Sequence, residues 1–294
     1  MIAPPIALIT LSDAGAKLLV PLVGHWPEAR LYVHESVQDA SLRRGEDRQA
    51  SGRLEEIRGE AVGEAPVVER FTRIADLTAA LFPVCRGLVY AAPCGVVVRA
   101  IAPLVQSKWK DPAVVVLDAG GRWAVSLLSG HEGGANDLAI RVANWTGAEP
   151  VVTTTTEALK SVIVGVGCRR GTPAERIVAA IRETLTDAGV ALNDVRWIAS
   201  ADVKADETGL IDAARTLKIP IRFIAAEEIR GSSREFSHSD FVAEKVNLPA
   251  VAEPAALLAG KRTRLIHKKA TFNGITISLA REGFLWSEAL SETR

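Results

Sequence analysis

Short apolar runs alternating with amphipathic segments constrain this chain more than any other feature. IALITLS (6–12) is apolar at nearly every position, and DAGAKLLVPLV (13–23) after it reads as a helix opened by Asp13. GLVYAAP (87–93), AVVVLDA (113–119), WAVSLLS (123–129), SVIVGVGC (161–168), VRWIAS (195–200) and IPIRFIA (219–225) repeat the strand pattern. Between them lie helical patterns: 71–82, with Phe71, Ile74, Leu77, Thr78 and Leu81 at helical spacing; 96–105; a segment with Ala135, Leu138, Ala139, Val142 and Trp145 on one face; 173–185; 207–217; and 251–260. A strand that does not alternate apolar with polar is covered on both faces, so the pattern predicts an α/β fold built on parallel sheets with helices on either side. AGGR (119–122) makes 113–129 a hairpin, and Asn273-Gly274 marks a second one closing the chain. The rhythm restarts at 161. Two domains are therefore expected, 1–160 and 161–294, each a mainly parallel sheet covered by helices, with the charged stretch 35–66 as a surface insertion or solvated helix.

Charge and composition remove several function classes. Among 294 residues, 35 Lys and Arg balance 35 Asp and Glu, so no global basic field exists to draw in a phosphate backbone, and nucleic acid is not an expected partner. The longest uncharged stretch, 87–98, is too short to cross a membrane and no basic segment leads an apolar run at the start, which makes a cytoplasmic protein the expectation. Cys85, Cys94 and Cys168 are odd in number and lack ligand spacing, so buried reduced thiols are expected, with neither disulfides nor a metal site.

Two glycine-rich turns carry the candidate chemistry. The first is LLSGHEGGAND (127–137), running from a strand through Ser129, Gly130, His131, Glu132, Gly133 and Gly134 into a helix that opens with Asn136 nearby. Helix-start amides at Gly133 and Gly134 would face an anion or a developing oxyanion, and histidine is a residue type suited to general-base work near neutral pH, so His131 suits a base that Glu132 could orient. The same residues also serve a tight turn with a solvent-facing histidine. The second is GVGCRRGTPAE (165–175), where Arg169 and Arg170 precede a helix start specified by Thr172, Pro173 and Glu175 in a capping-box pattern. It reads either as a carboxylate or phosphate site or as an exposed basic turn. Arg99 is the lone charge in an apolar run and can snorkel or meet an anion; Asp118 is a turn residue or an acid at the carboxyl edge of the sheet; Thr153 and Thr154, in TTTT, can offer hydroxyls. The glycine spacing breaks the dinucleotide fingerprint.

Taken together, CGVVVRAIAPLVQSKWKDPAVVVLD (94–118), SLLSGHEGGANDLAIRVANWTGAEPVVTTTTE (126–157), GVGCRRGTPAERI (165–177), ASADVKADETGLIDAARTL (199–217), VAEPAALLAG (251–260) and FNGITISLARE (272–282) resemble the cobalt-precorrin-5A hydrolase family. The resemblance covers most of the chain from about Gly87 onward. It implies a hydrolase that opens the δ-lactone of a ring-contracted cobalt corrinoid, releasing acetaldehyde, on a large, flat substrate rimmed with carboxylates. In that role His131 is the base, Glu132 or Asp118 its orienting acid and the Gly133 and Gly134 amides the oxyanion donors. Arg99, Asn136, Arg169 and Arg170 hold carboxylates and peripheral groups, with Ser129, Gly130, Thr153, Thr154 and Thr172 also lining the substrate. Cobalt arrives with the substrate, so no protein cofactor or metal is expected, and partners are the corrinoid and neighbouring precorrin methyltransferases. A non-catalytic carrier of corrinoid intermediates would use the same anion sites. Family members carry a segment between the threonine run and the second domain that is missing here, while 35–66 is longer than the family needs. Oligomeric state is not legible.

Overall fold

The structure, a computed structural model, describes residues 5–38, 68–234, 236 and 250–283. The charged insertion expected at 35–66 therefore lies almost wholly outside the described residues. The chain divides into two compact units, Met1–Thr153 and Thr154–Arg294. The rhythm of the sequence sets the boundary a few residues later, at 160/161.

Unit 1 runs β1 (Ile6–Thr10), α1 (Asp13–His25), β2 (Ala29–His34), β3 (Val68–Phe71), α2 (Ile74–Leu81), β4 (Gly87–Ala91), α3 (Cys94–Ile101), β5 (Ala113–Leu117), β6 (Trp123–Leu128), α4 (Ala135–Thr146) and β7 (Glu149–Val151). Its sheet has the order β3-β2-β1-β4-β5-β6-β7. The first five strands are mutually parallel; β6 turns back antiparallel to β5 and β7 runs parallel to β6. Every residue of β1, β4 and β5 is buried, as strands covered on both faces require. Successive residues supply opposite cores. Ile6 and Leu8 pack with Leu19 and Leu22 of α1 and Val142 of α4, whereas Ala7 and Ile9 pack with Leu81 of α2 and Val97 of α3. The start of α1 is fixed by Ser12, whose Oγ accepts the Gly15 amide at 3.2 Å.

Unit 2 runs α5 (Thr155–Ala158), β8 (Val162–Cys168), α6 (Ala174–Asp187), β9 (Val195–Ala201), α7 (Thr208–Leu217), β10 (Ile221–Ile224), α8 (Ala226–Gly231), α9 (Ala252–Leu258), β11 (Arg264–Phe272) and β12 (Ile275–Arg281). The sheet order is β10-β9-β8-β12-β11. Strands β8, β9 and β10 are parallel, and the β11–β12 hairpin joins antiparallel to β8. Asn273 and Gly274 hold φ of 40° and 89°, the left-handed pair that a two-residue hairpin turn demands. Both units are thus α/β, each a mixed sheet flanked by helices. Strands β2, β3 and β7 escape a reading by apolar runs: β3 is only four residues long with two exposed, and β7 is three. At 71–82 the single periodic pattern spans two elements, because Phe71 closes β3 and the helix begins only at Ile74.

Candidate functional site

The first turn is a six-residue loop between β6 and α4. Ser129 takes φ of 58° and Gly134, the residue before the helix, takes 85°. The Ser129 carbonyl accepts the amides of both Gly133 and Ala135 at 3.1 Å, and the Gly130 carbonyl accepts the Asn136 amide at 2.9 Å. The expectation of two open amides is corrected accordingly: the Gly133 N–H is spent inside the turn. Among the described residues the Gly134 N–H has no acceptor, and a side chain at that position would meet nothing within 4 Å. Gly133 is glycine for a different reason, since a Cβ there would lie 2.4 Å from Ser129 Cβ and 3.2 Å from the Asp111 carbonyl. Ser129 is only 7% exposed and its Oγ has no hydrogen-bond partner, so one residue carries both a left-handed backbone and an orphaned hydroxyl.

His131 is exposed at the rim of this turn, with no hydrogen bond among the described residues. Its two expected carboxylate partners are elsewhere. Glu132 accepts a hydrogen bond from Lys108 Nζ, and that bond, first among the causes, holds its pKa below the usual carboxylate value. Asp118 stands at the far end of the β5–β6 hairpin: β5 pairs Val114 with Leu128, next to the turn, and Leu117 with Ala124, next to Asp118. The strand between them is about 17 Å long at the usual rise. Asp118 does sit at the carboxyl edge of the parallel strands, and that placement is what removes it from His131. Its carboxylate accepts the amides of Gly120 (3.1 Å), Arg122 (2.7 Å) and Trp123 (2.7 Å). Burial works to raise its pKa, but those amides outweigh it and the pKa is lowered.

Asn136 is buried beside the turn, where its Oδ1 accepts from Ser126 Oγ at 2.8 Å and ties α4 to β6. Arg99 is exposed on α3 and folds back to donate to the Gly95 carbonyl at 2.9 Å. Thr153 is exposed at the end of unit 1, and Thr154 precedes α5 as its cap residue.

The second turn is filled by the chain's own acids. Arg170 is paired with Asp206 through two contacts of 2.8 and 3.2 Å, which holds Asp206 below the ordinary aspartate value. The Gly171 amide is accepted by Glu207 Oε1 at 2.8 Å. The capping box does not form: Pro173 is the cap residue of α6, without a side-chain bond, and the Thr172 hydroxyl donates to the Arg169 carbonyl at 2.7 Å instead. Arg169 lies over the hairpin turn, its amide bonded to the Gly274 carbonyl at 3.0 Å and its Cδ 2.8 Å from where a Gly274 side chain would begin. Sequence reasoning overlooked Asp206 and Glu207 because they stand 36 residues from the turn they neutralise. Beside them, burial pushes the Cys168 thiol up to about 11 despite the nearby Lys204. The expectation of three buried thiols is also corrected: Cys85 is buried, Cys168 half-buried and Cys94 exposed at the start of α3. Among the described residues no cluster of three His, Cys, Asp or Glu could hold a metal, and no helix is long and apolar enough to cross a membrane.

Sequence models of both halves of one family match this chain, the cobalamin synthesis G N-terminal region over residues 76–157 and the cobalamin synthesis G C-terminus over 162–280. The chain belongs to the cobalamin synthesis G family. Each turn lies within one of the two matched regions, and a role in cobalamin biosynthesis follows from membership. The cobalt-precorrin-5A hydrolase of Salmonella typhimurium is 26% identical over 290 residues, taking in 67% of this chain and 82% of that protein. Protein CobE of a Sinorhizobium species is 37% identical over 136 residues, 46% of this chain and 88% of its own length. A crystal structure of CobE, described as a protein from the cobalamin biosynthetic pathway, is 34% identical and covers 41% of this chain and 90% of its own, with a TM-score of 0.39.

Proposed function

We propose that the protein hydrolyses the δ-lactone of cobalt-precorrin-5A, giving cobalt-precorrin-5B and acetaldehyde. What supports the reading is a pairing in the first turn: an exposed imidazole, His131, in the same six-residue loop as the Gly134 amide, which has no acceptor among the described residues, in a chain whose relatives include proteins named for this hydrolysis. His131 takes a proton from water as the water oxygen adds to the lactone carbonyl carbon. The Gly134 N–H meets the negative charge that develops on the carbonyl oxygen. When the acyl–oxygen bond breaks, the freed alkoxide collapses to the carbonyl of acetaldehyde as its carbon–carbon bond to the macrocycle breaks; the electron pair of that bond passes into the conjugated ring, which takes up the proton held by the imidazolium. Glu132, tied to Lys108, acts on His131 only as a nearby negative charge, and Asp118 has no part in the step. Cobalt belongs to the substrate. Arg99, Asn136, Arg169, Arg170, Ser129, Gly130, Thr153, Thr154 and Thr172 remain candidates for holding substrate, although Arg170 must first release Asp206 and Arg99 must unfold from Gly95.

Incubating purified protein with cobalt-precorrin-5A and assaying acetaldehyde tests the reading. His131→Ala should lower the rate by roughly 10²- to 10⁴-fold while leaving corrinoid affinity nearly unchanged. An alanine variant that keeps its rate removes the assigned base. A second reading, a non-catalytic carrier passing labile corrinoids between the pathway's methyltransferases, is favoured by the absence of a carboxylate hydrogen-bonded to His131 among the described residues. Tight corrinoid binding with no acetaldehyde would select it.

A further inference from the structure

We propose that Trp109, flanked by Lys108 and Lys110, is the platform on which unit 1 stacks the flat face of its corrinoid. The proposal rests on the corrinoid reading above and adds the surface that would recognise such a ligand.

Trp109 is 76% exposed, more than any other large hydrophobic side chain among the described residues. A single exposed apolar residue needs no special explanation, but this one is displayed by an ordered loop. The Asp111 carboxylate accepts the Gln106 amide at 3.0 and 3.1 Å, and the Ser107 carbonyl accepts the amides of Lys110 at 3.0 Å and Asp111 at 2.9 Å. The backbone around the indole is thus already ordered, so a ligand docking on it meets little further entropy cost from the loop. Two contacts fasten this loop to the SGHEGG turn. Lys108 lies with its ammonium 4.9 Å from the Trp109 ring centroid and donates to Glu132. The Asp111 carbonyl stands against Gly133, 3.2 Å from where a side chain there would begin. Indole, imidazole and the open Gly134 amide therefore occupy neighbouring positions on one unit.

The chemistry of that surface suits a flat, conjugated ring with an anionic rim. An indole face holds any planar π-system by stacking without needing directed hydrogen bonds, as aromatic platforms hold nucleobases. Lys108, once it releases Glu132, and the exposed Lys110, its neighbour on the other side of Trp109 in sequence, would meet rim carboxylates. A macrocycle stacked on Trp109 would bring its edge toward His131. Nothing in the sequence pattern of 71–129 pointed to this residue, because SKWKD falls between a helix and a strand and has no periodicity.

The test titrates the full-length chain with dicyanocobyrinic acid, a stable polycarboxylate corrinoid, following the corrinoid absorbance. Trp109→Ala should raise Kd about tenfold, and Trp109→Phe, which keeps a stacking face, should stay within about threefold of the parent. Circular dichroism identical to the parent's would confirm that both variants fold. A Trp109→Ala Kd equal to the parent's overturns the platform, even if acetaldehyde is released. Failure of the parent to bind the corrinoid overturns it together with the substrate reading. Normal corrinoid binding combined with a dimer that the alanine variant abolishes, read by sedimentation, also overturns it, because Trp109 would then cover a second copy. Binding weakened by Trp109→Ala, with a parent that binds the corrinoid but releases no acetaldehyde, sustains the platform and removes only the hydrolase step.

Discussion

Replacing Gly133 by alanine should destabilise unit 1, and removing the Ser129 side chain should cancel much of that effect. A Cβ at 133 would stand 2.4 Å from Ser129 Cβ, 2.9 Å from the Ser129 carbonyl oxygen and 3.2 Å from the Asp111 carbonyl oxygen. Carbon atoms in ordinary contact lie near 3.5–4.0 Å, so the turn must open by about an ångström. Forcing an extra methyl into a packed site costs about 1–3 kcal/mol, and two of these three neighbours are backbone, which places the expected loss near the upper end. Ser129→Gly acts in the other direction. It relieves a left-handed L-residue, about 1–2 kcal/mol, and removes a buried hydroxyl without a partner, offset by about 0.5–1 kcal/mol of glycine chain entropy. The net is a gain of about 1 kcal/mol, or roughly 2–4 °C in Tm for a unit of this size. The assay is a double-mutant cycle followed by thermal unfolding, with urea titration as a second measure. In the Ser129→Gly background the closest contact is gone, so Gly133→Ala should cost at least 1 kcal/mol less there than in the parent. Strict additivity of the two substitutions, or a Ser129→Gly variant less stable than the parent, would refute the account of strain and packing in this turn.

Two further outcomes follow from the site. Asp118→Asn should lower stability by about 1–3 kcal/mol through the hairpin amides it weakens, without altering corrinoid affinity or the acetaldehyde rate. Because the folded-state pKa of Asp118 is depressed, its contribution is fully present above the unfolded value and fades as pH falls through the folded one, so parent and variant should converge in stability in acid. With iodoacetamide at pH 8, exposed Cys94 should be alkylated first, and half-buried Cys168, protonated with its pKa near 11, much later; peptide mapping that finds Cys168 modified as fast as Cys94 would contradict the burial assigned to it.

Fold class was legible in the sequence because the central strands are covered on both faces. IALIT, GLVYA and AVVVL bury every residue, which leaves an apolar run that no solvent-facing element would keep. The second hairpin was legible for a local reason too, since Asn273 and Gly274 adopt the positive φ that those residue types tolerate. Edge strands were not: β3 and β7 gain their place by pairing with β2 and β6, and short edge elements need few apolar residues to do so. The glycine turns were visible as turns, but their chemistry was not.

Local spacing in this sequence determined which segments become strands and helices, and where glycine must end one and start the next. Only the tertiary structure decided which polar groups remain available. It spent the Gly133 amide on Ser129, gave Arg170 to Asp206 and the Gly171 amide to Glu207, drew Glu132 to Lys108, and set Asp118 one strand length from His131. The physical reason is that secondary structure follows from interactions a few residues apart. A buried or charged group, by contrast, is satisfied by whatever the fold brings near, and in the second turn those partners lie 36 residues away.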